Sequence, residues 1–209
     1  MIDQLQYISQ SAEDGSHLTA IERVLAAGGR WIQLRIKEQP VHEILAQAME
    51  AKLLCDQYNA KLIINDYPDI AKKVNAFGMH LGLDDMPIPE ARALPGKDMC
   101  IGGTANTMAD LVRRAEEGAD YIGLGPFRFT KTKKNLSPVL GLQGYTKLMQ
   151  QVRQSGINLP VIAIGGIDLE DIPSLMETGI HGVAVSGALS FTTAGLQNRI
   201  QALYDLVKA

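Results

Sequence analysis

In the segment Trp31-Ile32-Gln33-Leu34-Arg35-Ile36-Lys37, two cations and an amide recur at every second residue. In an extended chain such residues point the same way, so Gln33, Arg35 and Lys37 share one face and Ile32, Leu34 and Ile36 the other. Two positive side chains crowded on one strand face are costly unless an anion meets them. The pattern therefore favours an anion site over a strand end whose cations simply reach solvent. Two later apolar runs end in acids, Asn65-Asp66 and Asp84-Asp85. One carboxylate from each would give the sparse protein ligation that Mg2+ prefers, with the remaining positions left to water and phosphate oxygens. The same acids could instead open the following helices as caps, Asp66 directly and Asp84 or Asp85 near Pro87.

A second group of residues is suited to a monophosphate. Gly165-Gly166 follows the run Ala163-Ile164, and Ser186-Gly187 follows Val185. Glycine lets backbone N–H groups approach a phosphate closely, and a helix start adds a favourable dipole. Tight turning without a ligand is the alternative. Together the two groups imply two small phosphorylated substrates, one a diphosphate held with Mg2+. General bases are scarce: His17 and His42 fall on expected helices, His80 and His181 within or at the start of strands. None has an evident nucleophile partner, and His80 reads as a packed or hydrogen-bonded strand residue.

The elements that must position these residues follow from periodicity. Short runs rich in Val, Ile and aromatic residues are expected to form strands at 5–10, 30–37, 61–66, 78–82, 99–104, 121–126, 160–167 and 181–188. Helical spacing separates them, most clearly at 18–27, 41–58, 108–117, 144–155 and 196–207. Such alternation predicts an α/β fold with a parallel sheet, and eight similar units in 209 residues fit a single (β/α)8 TIM barrel spanning 1–209. An open doubly wound sheet competes, but no GxGxxG follows the first strand. In a barrel the strand ends carry the active site, so the non-periodic stretch 127–141 overhangs the same mouth. Its Thr130-Lys131-Thr132-Lys133-Lys134 then reads as part of a lid over a charged substrate, more than as a solvated basic loop.

Composition narrows the function further. A hydrophobic content of 46% supports one substantial core, and a net charge of −3 offers no field for nucleic acid or an anionic membrane. Cys55 and Cys100 lie outside any metal spacing and suit a reducing compartment. With no secretory leader or long apolar run, the expected location is cytoplasmic.

In order along the chain, Gln33-Leu34-Arg35-Ile36-Lys37, Ile64-Asn65-Asp66, His80-Leu81-Gly82-Leu83-Asp84-Asp85, Ile101-Gly102-Gly103-Thr104, Tyr121-Ile122-Gly123-Leu124-Gly125-Pro126, Thr130-Lys131-Thr132-Lys133-Lys134, Ala163-Ile164-Gly165-Gly166-Ile167 and Gly182-Val183-Ala184-Val185-Ser186 resemble the thiamine phosphate synthase family. That resemblance implies a transferase that joins hydroxymethylpyrimidine diphosphate to a thiazole phosphate, or to its carboxylate, and releases pyrophosphate. It implies that Gln33, Arg35, Lys37, Asn65 and Lys133 hold the diphosphate substrate and that Asp66 and Asp85 ligate Mg2+. Thr104 would contact pyrophosphate, Thr130 and Thr132 the thiazole, and Gly165, Gly166, Ser186 and Gly187 its phosphate. The catalytic set would be Arg35, Lys37, Thr104 and Lys133.

The chain departs from the family pattern at three places. Thr104-Ala105-Asn106-Thr107 stands where the family often reads Ser-x-His-Thr, Leu83 where a Gln is common, and Ile36 where a Glu is common. A related thiazole tautomerase relies on a proton-shuttling His where this chain has Asn106, which counts against that alternative. A non-enzymatic phosphate-sensing barrel is the other alternative, and homo-oligomerisation is left open.

Overall fold

The computed structural model describes residues 1–94, 99–129, 138–190 and 194–208. Among these, parallel strands β1 (Leu5–Ile8), β2 (Trp31–Leu34), β3 (Lys61–Asn65), β4 (Gly78–Leu81), β5 (Cys100–Ala105), β6 (Tyr121–Leu124), β7 (Val161–Ile164) and β8 (Gly182–Val185) pair in sequence order and close into a barrel. Closure is made by β1 against β8, with Leu5 opposite Val183 and Tyr7 opposite Val185. This is the TIM barrel expected from the alternation of strands and helices.

The outer layer comprises α1 (His17–Ala26), α2 (Val41–Gln57), α3 (Pro68–Lys73), α4 (Ile88–Ala93), α5 (Met108–Glu116), α6 (Gly141–Ser155), α7 (Ile172–Glu177), α8 (Gly187–Ser190) and α9 (Leu196–Lys208), with a 3-10 turn at Leu169–Asp171. Local chemistry fixes several starts. Ser16 accepts from the N–H groups of Leu18 and Thr19 to cap α1, and Thr107 with Asp110 forms a reciprocal capping box on α5. Proline in the first turn opens α3, α4 and α7. At six residues each, those helices are too short to show a 3.6-residue period, which is why periodicity did not delimit them.

The strands are shorter than their apolar runs. Arg35 and Lys37 lie beyond the end of β2, yet Ile32, Leu34 and Ile36 all pack into the layer between strands and helices. The alternation thus outlasts the hydrogen-bonded ladder. Inside the barrel, Trp31, Ile63, Cys100, Tyr121, Ile162 and Ala184 form an apolar floor. The Trp31 and Tyr121 rings meet edge-on, with centroids 5.1 Å apart. Above that floor, toward the C-terminal strand ends, the interior becomes polar.

Candidate active site

Consecutive strands each send one polar side chain to this upper layer: Gln6 from β1, Gln33 from β2, Asn65 from β3, His80 from β4 and Thr104 from β5, all of them buried. They line a cavity of about 50 Å3 together with Ile8, Arg35, Tyr121, Gly123, Ile162 and Ile164. A hydrogen-bonded chain runs around its wall. Gln33 donates to Gln6 (3.2 Å), Gln6 to the Tyr121 hydroxyl (3.4 Å), and His80 bridges Tyr121 (3.1 Å) and Thr104 (3.0 Å) through its two ring nitrogens. His80 is therefore a hydrogen-bonded strand residue, as its glycine-flanked setting suggests. The Asn65 Nδ2 is buried with no partner among the described residues, a donor suited to an incoming acceptor.

Charged groups gather at the rim on the β2–β4 side. Lys37 is ion-paired with Asp66, and the Asp85 carboxylate accepts the Gly82 N–H at 2.5 Å. Neither Asp66 nor the acids near Pro87 serve as helix caps: Tyr67 and Pro87 occupy those positions, without side-chain caps. Asp66 instead adopts a left-handed backbone at φ 66°, a conformation Asp tolerates better than most residues and one that concentrates at functional sites. Burial, and then the neighbouring Asp66 carboxyl, push the Asp85 carboxyl above the usual carboxylate range. Two carboxyl groups this close together invite a cation. A pair of carboxylates fits Mg2+, which retains water and phosphate ligands, better than a metal needing a full protein cage. Among the described residues no group of three or more His, Cys, Asp or Glu forms such a cage.

Arg35 is partly buried, and burial lowers its basicity while Asp66 opposes that shift. Its backbone N–H donates to Ser9 Oγ (3.1 Å), which also meets His17 Nδ1 (2.9 Å).

Across the mouth, the glycine loop is built from backbone. Gly165 and Gly166 adopt φ 95° and 72°. A Cβ on Gly165 would lie 2.7 Å from Pro126 Cβ, and one on Gly166 would lie 2.4 Å from Arg128 Cγ. Both glycines are thus required by the close passage of the chain after β6. Arg128 donates to the Gly166 carbonyl (2.7 Å) and grips Asp171 with both terminal nitrogens (2.8 and 2.7 Å). Ser186 donates to the Ile8 carbonyl (2.6 Å), and its own carbonyl accepts the N–H groups of Leu189 and Ser190 (3.0 Å each) as α8 begins at Gly187.

These observations bring Gln33, Arg35, Asn65 and Thr104 to one cavity, Lys37, Asp66 and Asp85 to its rim, and the glycine loop, Ser186 and Gly187 to the ends of β7 and β8. Thr130, Thr132 and Lys133 lie outside the described residues. The roots of their segment are described: Leu140 N–H donates to the Pro126 carbonyl and Gly141 N–H to that of Phe127. A family model described as thiamine monophosphate synthase matches residues 5–189. The chain belongs to that family. Its similarity to the thiamine-phosphate synthase of Phocaeicola vulgatus is 50% identity over 186 residues, 89% of either chain. With that of Bacteroides fragilis it is 52% over 185 residues, 88% of this chain and 91% of the other. The solved thiamine phosphate pyrophosphorylase of Pyrococcus furiosus superposes with a TM-score of 0.83 at 27% identity, covering 98% of this chain and 95% of that one.

Within this thiamine monophosphate synthase barrel, Gln6 and Tyr121 are wall residues that sequence reasoning did not single out. Gln6 carried a signal, since a Gln between the apolar Leu5 and Tyr7 in a strand marks a polar position on the opposite, inward face. Tyr121 carried none, because its ring belongs to the apolar floor and only its hydroxyl reaches the polar layer. Asn106 is buried and donates its side-chain amide to the Gly125 carbonyl. An amide so placed holds the chain after β6 and has no titratable proton to shuttle.

Proposed function

We propose that this chain is a thiamine-phosphate synthase, a transferase that condenses 4-amino-2-methyl-5-hydroxymethylpyrimidine diphosphate with 4-methyl-5-hydroxyethylthiazole phosphate, releasing pyrophosphate, or with its carboxylate, releasing pyrophosphate and CO2. The observation that carries this is the convergence of Arg35, Lys37, Asp66 and Asp85 at one end of the barrel, beside a cavity lined by neutral hydrogen-bonding groups. Charge at the rim suits the diphosphate; the amides and hydroxyls below suit a flat polar ring. The glycine loop after β7 and the start of α8 would take the thiazole phosphate.

In the reaction the carbon–oxygen bond to the diphosphate breaks, with its electron pair leaving on pyrophosphate. The resulting pyrimidine-stabilised cation accepts the thiazole nitrogen lone pair. No proton is transferred at the forming bond, which agrees with a wall whose imidazole, His80, is held through both ring nitrogens. Arg35 and Lys37 would stabilise the departing charge, with Thr104 donating beside them and Lys133 adding a further cation from the segment after β6. Mg2+ held by Asp66 and Asp85 would neutralise phosphate oxygens of the leaving group. Gln33 and Asn65 would orient the pyrimidine, and Thr130 and Thr132 the thiazole, so that the two reacting atoms are held in line.

The test is pyrophosphate release by the purified protein. Release that requires Mg2+ and both substrates is expected; equal release without the thiazole phosphate would mean a hydrolase.

A further inference from the structure

The acidic loop after β4 is held by more than its own hydrogen bonds. Two consecutive arginines on α5 reach it from behind, Arg113 donating to the Leu83 carbonyl (3.1 Å) and Arg114 to the Gly82 carbonyl (2.6 Å). Arg114 is 1% exposed, and its Nε also donates to the Thr104 carbonyl (3.1 Å). One guanidinium thereby ties the ends of β4 and β5 together. Gly82 is the residue whose N–H meets the Asp85 carboxylate, and its carbonyl also accepts the Asp85 N–H at 3.4 Å. The side chain of Asp85 is therefore aimed by a residue whose backbone Arg114 fixes, while Arg113 holds the residue after it.

Burying a cation this deeply costs several kcal/mol, and an apolar side chain would fill the same space more cheaply. Glu117 offsets part of the cost by pairing with Arg114 (2.6 Å) and Arg113 (3.4 Å). Room is made by Gly103, where a Cβ would lie 2.7 Å from Arg114 Cδ. The planar fork is also specific: a lysine keeps the charge but cannot span two carbonyls with fixed geometry.

We propose that Arg113 and Arg114 are positioning residues for the metal side of the site, setting Asp85 through the Gly82–Leu83 backbone. This role presupposes the metal-assisted transfer proposed above. The experiment measures Mn2+ binding, in the presence of pyrophosphate, by electron paramagnetic resonance on wild type, Arg114→Lys and Arg113→Ala. Weakening of about tenfold is expected for Arg114→Lys, the scale typical of residues that orient metal ligands, and a smaller loss of about threefold for Arg113→Ala. The KM for thiazole phosphate, whose site lies across the mouth, should stay at the wild-type value in both. Wild-type Mn2+ affinity in folded Arg114→Lys overturns the proposal. Should that variant fail to fold, the half-exposed Arg113→Ala carries the test, and unchanged Mn2+ affinity there overturns it equally. Wild-type protein that binds no Mn2+ with pyrophosphate would instead overturn the functional proposal on which the role depends.

Discussion

The two sides of the barrel mouth are built by opposite means. From β2 to β5 the groups are charged side chains that perturb one another: Lys37 paired to Asp66, Asp85 pushed up by burial and by Asp66, Arg35 lowered by burial. From β6 to β8 they are backbone, shaped by glycines at positive φ and braced from outside by Arg128 and Asp171. The contrast follows from the proposed ligands. A departing diphosphate gains charge as its bond breaks, so side chains and a metal that answer to charge are worth most there. A phosphate that only anchors its substrate needs the same contacts before and after the reaction, which fixed N–H groups provide.

Substitutions should therefore separate the sides. The largest effect is expected from Asp85→Ala, which removes a proposed metal ligand: kcat/KM should fall about a hundredfold, near 2.7 kcal/mol of transition-state stabilisation. The KM for thiazole phosphate should hardly change. Steady-state kinetics with each substrate varied in turn would measure both, and a wild-type kcat/KM would break the assignment of charge to the β2–β5 side.

On the glycine side, Gly166→Ala meets two obstacles, a left-handed backbone and the stem of Arg128. The backbone conformation alone costs roughly 1–3 kcal/mol. The expected result is a KM for thiazole phosphate raised about tenfold, roughly 1.4 kcal/mol of lost binding, with the Mg2+ requirement intact. Adding Arg128→Ala sharpens the comparison, because it clears the space without easing φ. Partial recovery of thermal stability would divide the penalty between crowding and backbone; complete recovery would show that φ contributes nothing.

How much of this was legible beforehand differs by side as well. The barrel and the shared inward face of Gln33 and Arg35 followed from alternation, which survives even where β2 stops pairing at Leu34, while Lys37 lies at the exposed rim. Asp66 and Asp85 could be found as acids at strand ends, but whether they cap helices or face the mouth depended on Tyr67 and Pro87 taking the cap positions, a tertiary outcome. Gly165-Gly166 was visible as a pair, whereas its brace was not. Arg128 and Asp171 are 43 residues apart in sequence, and no local pattern joins them. Arg114 was invisible for a related reason: on an amphipathic helix an arginine reads as surface, and only the missing Cβ of Gly103 lets it turn inward.

The smallest effect concerns what supports the charged side from below. Ser9 Oγ accepts the Arg35 N–H and is hydrogen-bonded to His17 Nδ1, so the imidazole supports the Arg35 backbone through the Ser9 hydroxyl. Burial, followed by the positive charge of Arg35, lowers the affinity of His17 for a proton below its ordinary value near 6.5. The unfolded chain then binds a proton more readily than the folded one. Stability from this group is complete above about pH 6.5 and is lost as pH falls toward the lower folded value. Urea unfolding at about pH 7.5 and about pH 5 should show wild type losing more stability on acidification than His17→Gln, which keeps a hydrogen-bonding group without a titrating one. Equal losses in the two proteins would mean that the imidazole does not titrate between the folded and unfolded states, and that Ser9 alone holds the backbone of Arg35.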